Sequence, residues 1–204
     1  MQPARTKIAP TRAEADSSSS RKNIDFLRGF LRNPGRVGSV IPSSRFMERK
    51  IIKMAEVQQA GLVVELGPGT GGTTRAMLAA MSQNARLLAI DLDPRFIDIL
   101  SGFDDPRLLP HHGSAVDLAE ILQQHGIDAP NTVVSGIPFS TMPKPVGTAI
   151  IQAIQQNLAP NGVFLAYQFR GEVARLARPV LGEPDQSSFE MLNIPPMRFY
   201  QWRK

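Results

Sequence analysis

Leu62-Val63-Val64-Glu65-Leu66-Gly67-Pro68-Gly69-Thr70-Gly71-Gly72-Thr73-Thr74 decides the architecture of this chain. A short apolar run carries an acid near its end and passes into glycines at alternate positions; Thr73, Ala76, Met77 and Ala80 follow at helical spacing. The pattern predicts a strand, a tight turn and a helix. Gly67, Gly69 and Gly71 let the backbone take conformations that a side chain forbids, and they clear space above the turn for a nucleotide-like ligand. Glu65 stands two residues before the first glycine, where a carboxylate repels a diphosphate and welcomes a ligand bearing an ammonium or hydroxyls. No lysine followed by Ser or Thr closes the loop, which argues against a nucleoside triphosphate site.

Downstream, Arg86 to Asp91 predicts a second strand, and its terminal Asp91 lies roughly twenty residues beyond the loop, where a parallel neighbour ends beside the ligand. A carboxylate there accepts hydrogen bonds from both hydroxyls of a ribose. Asp93 and Pro94 then read as the cap and first residue of a helix. Leu108 to His112 predicts a third strand, with His112 either a strand-end residue or a base, followed by Gly113-Ser114-Ala115-Val116-Asp117-Leu118. Thr132-Val133-Val134-Ser135-Gly136-Ile137-Pro138-Phe139-Ser140-Thr141-Met142-Pro143 predicts a fourth strand and the loop beyond it. In a doubly wound sheet this loop faces the first strand across the crevice, so a substrate meets the ligand's reactive end here. Val146 to Leu158 predicts a helix and Val163 to Phe169 a fifth strand, on which Tyr167 is either a partly buried sheet aromatic or a polar handle near the substrate. Phe189 to Ile194 and Met197 to Trp202 predict a closing antiparallel pair.

Upstream the composition changes. The 204 residues carry a net charge of +5, but residues 1 to 50 hold eleven Lys and Arg against four Asp and Glu, while the rest of the chain is slightly acidic. Such a segment seeks a polyanion, either nucleic acid or an anionic membrane. Residues 1 to 20 are polar, end in four serines and read as a disordered tail. From Arg21, Ile24, Leu27, Phe30 and Leu31 fall on one side of a helix, and Arg21, Lys22, Arg28 and Arg32 supply charge. Two readings stand: an interfacial membrane helix, or a helix packed on its own domain with a solvated basic face. Ser43 or Ser44 caps a helix from Arg45 to Val57, and both also lie where they would reach the ligand. The absence of cysteine removes disulfides and thiolate chemistry, and the spacing of His111, His112 and His125 does not suggest a metal site. With no signal-peptide core and no apolar run of about 18 residues, the expected location is the cytoplasm. The organisation expected is a tail over 1–20, an amphipathic and a connecting helix over 21–57, and one catalytic domain over 58–204.

The glycine loop resembles the first motif of the class I S-adenosylmethionine methyltransferases, E-x-G-x-G-x-G. The resemblance implies a doubly wound, Rossmann-like α/β fold with a seven-stranded, mostly parallel sheet, preceded here by the N-terminal amphipathic helix. It implies S-adenosylmethionine as cofactor, held by Ser43, Ser44, Glu65, Gly67, Pro68, Gly69, Thr70, Gly71, Asp91, Leu92, Ser114 and Ala115. The superfamily often places an acid where this chain has Ser114, and its adenine-methylating members keep a polar side chain where this chain has Gly136. Further stretches, Phe30 to Pro34, Val37 to Ser44, Ser135 to Phe139 and Asn193-Ile194-Pro195-Pro196, are similar to the small bacterial phospholipid N-methyltransferases.

That second resemblance implies methylation of the amine of phosphatidylethanolamine, towards phosphatidylcholine, by an enzyme peripheral on the inner face of the cytoplasmic membrane. The implied reaction site is Ser135, Gly136, Pro138 and Tyr167. The implied membrane contacts are Ile24, Leu27, Arg28, Phe30, Leu31 and Arg32 on anionic lipids. No metal and no nucleic acid enter this reading. Ornithine lipid methylation and adenine methylation of ribosomal RNA are the competing activities, and a non-catalytic membrane adaptor is the third.

Overall fold

Apolar runs buried on both faces become the inner strands of one sheet, as parallel strands covered by helices on each side require. The computed structural model describes residues 44–191 and 196–204. The tail, the amphipathic segment carrying Ile24, Leu27, Arg28, Phe30, Leu31 and Arg32, Ser43, and Asn193-Ile194-Pro195 lie outside the described residues.

The chain enters with α1 (Arg45–Met54). Then follow β1 (Leu62–Leu66), α2 (Gly72–Ala80), β2 (Arg86–Asp91), α3 (Pro94–Ser101), β3 (Leu108–His112), α4 (Leu118–Gln124) and β4 (Thr132–Ser135). It closes with α5 (Lys144–Asn157), β5 (Val163–Gln168), α6 (Glu172–Leu181), β6 (Gln186–Glu190) and β7 (Met197–Arg203). The seven strands order as β3-β2-β1-β4-β5-β7-β6, with only β7 antiparallel to its neighbours. The order reverses between β1 and β4, and their carboxyl ends open the crevice where doubly wound sheets bind ligands.

Alternation along the strands sends successive side chains to opposite faces. Val64, Leu66, Leu88, Ile90, Val133 and Phe164 meet α4, α5 and α6, whereas Val63, Leu87, Val134, Leu165 and Phe199 meet α1, α2 and α3. Fully burying each such side chain contributes about 1.5–3 kcal/mol, so both helix layers are held firmly. α1 belongs to this body, since Met47 and Ile51 are buried in the second cluster.

Several boundaries differ from the sequence expectation, each for a local reason. α1 ends at Met54 rather than Val57, because Glu56 takes a left-handed conformation (φ 52°) that no helix continues. α5 begins at Lys144, with Pro145 in the first turn, where its missing N–H costs nothing. β6 spans Gln186–Glu190 instead of Phe189 to Ile194, since pairing with β7 through the backbone sets its register. α6 has no counterpart in the expectation. Among the described residues no helix is long and apolar enough to cross a membrane.

Candidate active site

The strand ends are stitched into one platform by backbone bonds that continue the ladders. Gly67 donates to the Ile90 carbonyl at 2.9 Å, Gly113 to that of Asp91 at 3.0 Å and Gly136 to that of Leu66 at 2.9 Å. Above this platform a cavity opens. Gly67, Gly69, Ile90, Asp91, Leu92 and Phe96 form one side, Gly113, Ser114 and Ala115 the floor at β3, and Gly136, Ile137, Pro138, Thr141, Met142 and Ile150 the far wall.

Asp91 closes the glycine loop from below. Its Oδ2 accepts from the Gly69 amide at 3.3 Å and its Oδ1 from the Asp93 amide at 2.9 Å. Burial raises its carboxyl above the ordinary value, opposed by these amide bonds. Asp93 caps α3 as expected, accepting from the Arg95 amide at 3.0 Å. Ser114 is 3% exposed and its Oγ accepts from the Val116 amide at 3.3 Å, so it caps the short turn Ala115–Asp117 while lining the cavity.

Glu65 lies on the α2 face, fully buried. Thr74 Oγ1 donates to its Oε2 at 2.6 Å, and its Oε1 has no hydrogen-bond partner among the described residues. Burial lifts this carboxyl to about 8, the Thr74 bond pulling the other way and the Asp91 charge adding to the rise. A buried acceptor left unpaired is costly, which makes the free oxygen a place where a cation is welcome.

Gly71 starts α2 at φ 81°, and a Cβ there would meet Phe103 at 2.5 Å and Leu100 at 2.7 Å, so its lack of a side chain lets α2 settle on α3. Thr70 is exposed and Pro68 receives the Gly71 amide at 3.1 Å; neither lines the cavity. Ser44 caps α1 by accepting from the Met47 amide at 3.2 Å and is also absent from the cavity wall.

Of the expected reaction residues, Gly136 and Pro138 line the cavity. Ser135 is buried behind them, its Oγ accepting from the Ile137 amide at 3.3 Å. Tyr167 stands behind the wall, its hydroxyl 3.5 Å from Thr73 Oγ1. That hydroxyl fills the space of the side chain Gly136 lacks: a Cβ built on Gly136 would fall 2.5 Å from it. Burial, reinforced by Glu65, holds the phenol well above its ordinary value, so Tyr167 keeps its proton at neutral pH. Gln168 donates to the Ile137 carbonyl at 2.6 Å and pins the loop to β5.

Thr141 and Met142 fall in the loop expected to meet the substrate but were not singled out, and Phe96 and Ile150 were missed as wall residues, their only sequence signal being apolar helical periodicity, which core residues share. The assembled cavity sets the Asp91 carboxyl among glycines and apolar side chains, while Glu65, fully buried, is not part of its lining.

No family model matches the chain. Over 146 residues it is 32% identical to the ornithine lipid N-methyltransferase of Singulisphaera acidiphila, spanning 68% of this chain and 73% of that protein. It is 37% identical over 150 residues to ribosomal RNA small subunit methyltransferase A of Caulobacter vibrioides, covering 72% of this chain and 52% of that one. The N-methyltransferase NodS from Bradyrhizobium japonicum WM9, solved with S-adenosyl-L-homocysteine, shares the fold at a TM-score of 0.65 and 13% identity, over 89% of this chain and 98% of that one.

Proposed function

Because the chain belongs to the class I S-adenosylmethionine-dependent methyltransferases, we propose that it moves methyl groups from S-adenosylmethionine to the primary amine of a membrane lipid head group. The observation that carries this reading is the Gly136–Tyr167 contact. With the hydroxyl occupying the side-chain space at Gly136, the loop offers no amide or carboxylate at that position to grip a planar base. The relative from Singulisphaera, named for an ornithine lipid, supports the lipid amine and favours that head group over phosphatidylethanolamine.

The residues divide the work as follows. Asp91 would hold the ribose diol, Glu65 the methionine ammonium through its free Oε1, and Ser114 with Ala115 the edge of the adenine, packed by Phe96 and Met142. When bound, the cofactor supplies an electrophilic methyl group on sulfur. The chain's own task is alignment and exclusion of water around a neutral amine. The backbone carbonyl of Gly136 orients that amine, and Lys144 or Arg170 stands ready for an acidic group of the head. No acid occurs between Ser135 and Pro143, so the amine loses its proton to water before it reaches the loop.

The test is transfer of labelled methyl to vesicles of ornithine lipid or phosphatidylethanolamine mixed with anionic lipid, with ribosomal RNA fragments in parallel. Label in lipid supports the proposal and identifies the head group. Label in RNA alone would transfer the function to adenine methylation, which the identity to the Caulobacter protein favours and Gly136 opposes.

Attachment to the membrane is proposed to begin in the basic segment outside the described residues. Arg28→Glu with Arg32→Glu is expected to lower binding to anionic vesicles at least tenfold, since each cation at such a surface is worth about 1 kcal/mol. Cofactor affinity should not change. Flotation with vesicles as strong as wild type would remove the segment from this role.

Glu65 gives a pH signature. Its folded-state value near 8 lies above the unfolded value of 4.5, so its contribution to stability is complete below pH 4.5 and is lost as pH rises through 8. The loss reaches about 3 kcal/mol by pH 7 in the ligand-free protein. Glu65→Gln should therefore melt several degrees higher than wild type at pH 7.5 and bind the cofactor more weakly. In wild type, a cation placed at Oε1 ionises the carboxyl, and binding should release a proton, measurable by calorimetry in buffers of differing ionisation enthalpy. Equal melting profiles of the two proteins from pH 5 to 8 would contradict this assignment.

A further inference from the structure

Among the described residues, besides Ile99 on α3 (44% exposed), four large apolar side chains stand in solvent: Phe46 (51% exposed), Phe169 (43%), Phe189 (47%) and Met191 (73%). Single exposed apolar residues are ordinary on any protein surface. These four lie along one edge of the sheet, Phe46 on the face covered by α1 and Phe189 on the opposite face with Arg198. β5 and β6 both run antiparallel to β7, so their carboxyl ends, which lead into Phe169 and Met191, lie at the edge of the sheet that carries the cavity. α1 runs the opposite way. Its end, Ala55, accepts from Thr132 at the start of β4 at 3.0 Å, while Lys50 donates to the Phe189 carbonyl at 3.2 Å, leaving Phe46 one turn nearer the same edge.

Charge accompanies the apolar groups. Arg45, Arg170 and Arg198 are exposed there, and the Arg198 guanidinium lies 5.2 Å from the centre of the Phe189 ring. The nearby carboxylates are Glu48, Glu190 and Glu172; Glu190 is bridged to Lys50 at 3.0 Å and Glu172 is bridged to Arg175. The rim thus presents an excess of positive charge around protruding Phe and Met. It adjoins the reaction site through Gln168, which holds the Ile137 carbonyl one residue before Phe169. None of the four apolar residues lines the cavity.

We propose that this rim is a membrane-docking surface, in which Phe46, Phe169, Phe189 and Met191 enter the interface of an anionic bilayer and the arginines meet lipid phosphates. The inference rests on the lipid-amine reading and deepens it: a head group passes from the bilayer to the Gly136–Pro138 loop without crossing bulk water. Arg and Lys bury their stems against apolar surface while their charged ends stay with phosphate, and each such charge strengthens adsorption about fivefold. A polyanion such as RNA would account for the arginines but gains little from a thioether as exposed as Met191.

The full chain carrying Met191→Trp provides the direct test, because Trp202, the natural tryptophan, is 2% exposed and well shielded. With vesicles of phosphatidylglycerol and phosphatidylethanolamine brominated along the acyl chains, the added fluorophore should shift to the blue and lose more than half of its intensity. Phe169→Ser combined with Phe189→Ser and Met191→Ser should lower vesicle partition at least tenfold. Cofactor affinity and methyl transfer to a water-soluble, short-chain lipid amine should stay within twofold of wild type. Unquenched fluorescence while the protein floats with vesicles overturns the proposal, as does partition of the triple variant within twofold of wild type. Shielding of the added fluorophore from aqueous iodide before any vesicle is present, or a response to RNA in place of vesicles, overturns it too. Quenching by vesicles together with methyl transfer only to RNA would leave the docking surface standing and remove the lipid substrate. Methylation of the short-chain lipid with no quenching would do the reverse.

Discussion

Gly136→Ala or Gly136→Asn is expected to reduce methyl transfer at least a hundredfold while the chain stays folded. The new Cβ would lie 2.5 Å from the Tyr167 hydroxyl, 2.9 Å from Cζ of that ring and 3.2 Å from the Gly67 carbonyl oxygen. One partner has to move. The ring is hemmed in by Thr73 and by Phe199, whose ring centre is 6.3 Å away. The loop is the softer partner, and it forms the cavity wall. A displacement of about 1 Å at a reacting centre costs on the order of a hundredfold in rate, whereas overpacking costs about 1–3 kcal/mol of stability. The measurement is kcat/KM on lipid vesicles beside a melting curve. Pairing Gly136→Ala with Tyr167→Leu should recover most of the rate by reopening the space. Full activity in the single variant would show that the loop tolerates a side chain. Tyr167→Phe alone should cost less than tenfold, because the neutral phenol takes no proton.

The second large effect belongs to Asp91. Asp91→Ala should weaken binding of S-adenosylhomocysteine by roughly a hundredfold, about 3 kcal/mol for two charge-assisted bonds to the ribose hydroxyls. Part of this loss is indirect, since the same carboxylate accepts from the Gly69 and Asp93 amides and so holds the glycine loop to the end of β2. Asp91→Asn keeps acceptor oxygen without charge and should lose about tenfold. Calorimetry reads both. Affinity of the alanine variant within twofold of wild type would take the ribose away from Asp91.

What the sequence made legible follows from how each signal arises. β2 and β3 match the expected bounds to the residue: β2 is a buried parallel strand written as a compact apolar run that stops at a polar end, and β3, at the sheet edge, is a shorter Leu-Leu start bounded by polar residues. The glycine loop and Asp91 were readable because backbone geometry and a strand-end charge leave local marks. α6 was not, for its apolar positions are interleaved with Arg175 and Arg178 and it carries Pro179 near its end. β6 was misplaced because Gln186-Ser187-Ser188 has no apolar alternation and is held in the sheet by its backbone. Part of the far wall was missed for a different reason. Met142 and Ile150 are apolar residues like those of the core, and only the crossover from β4 into α5 turns them towards the cavity. The Gly136–Tyr167 contact joins residues thirty-one apart in sequence and leaves no local mark at all.

The direction of α1 has a mechanical consequence. Since this helix runs from the cavity edge of the sheet towards the amino edge, Ser44 is the point at which the basic N-terminal segment is fastened, and it lies beside the exposed Phe and Arg side chains. Any surface touched by one of these two elements is presented to the other at a high effective concentration. If both bind a bilayer as proposed, two individually weak attachments multiply instead of adding, and linked sites of this kind commonly gain about 10²–10⁴ in avidity. Such a tether would also select orientation: a molecule adsorbed by its opposite face would forgo one attachment, which would bias the population at a bilayer towards the pose in which the crevice faces the lipid.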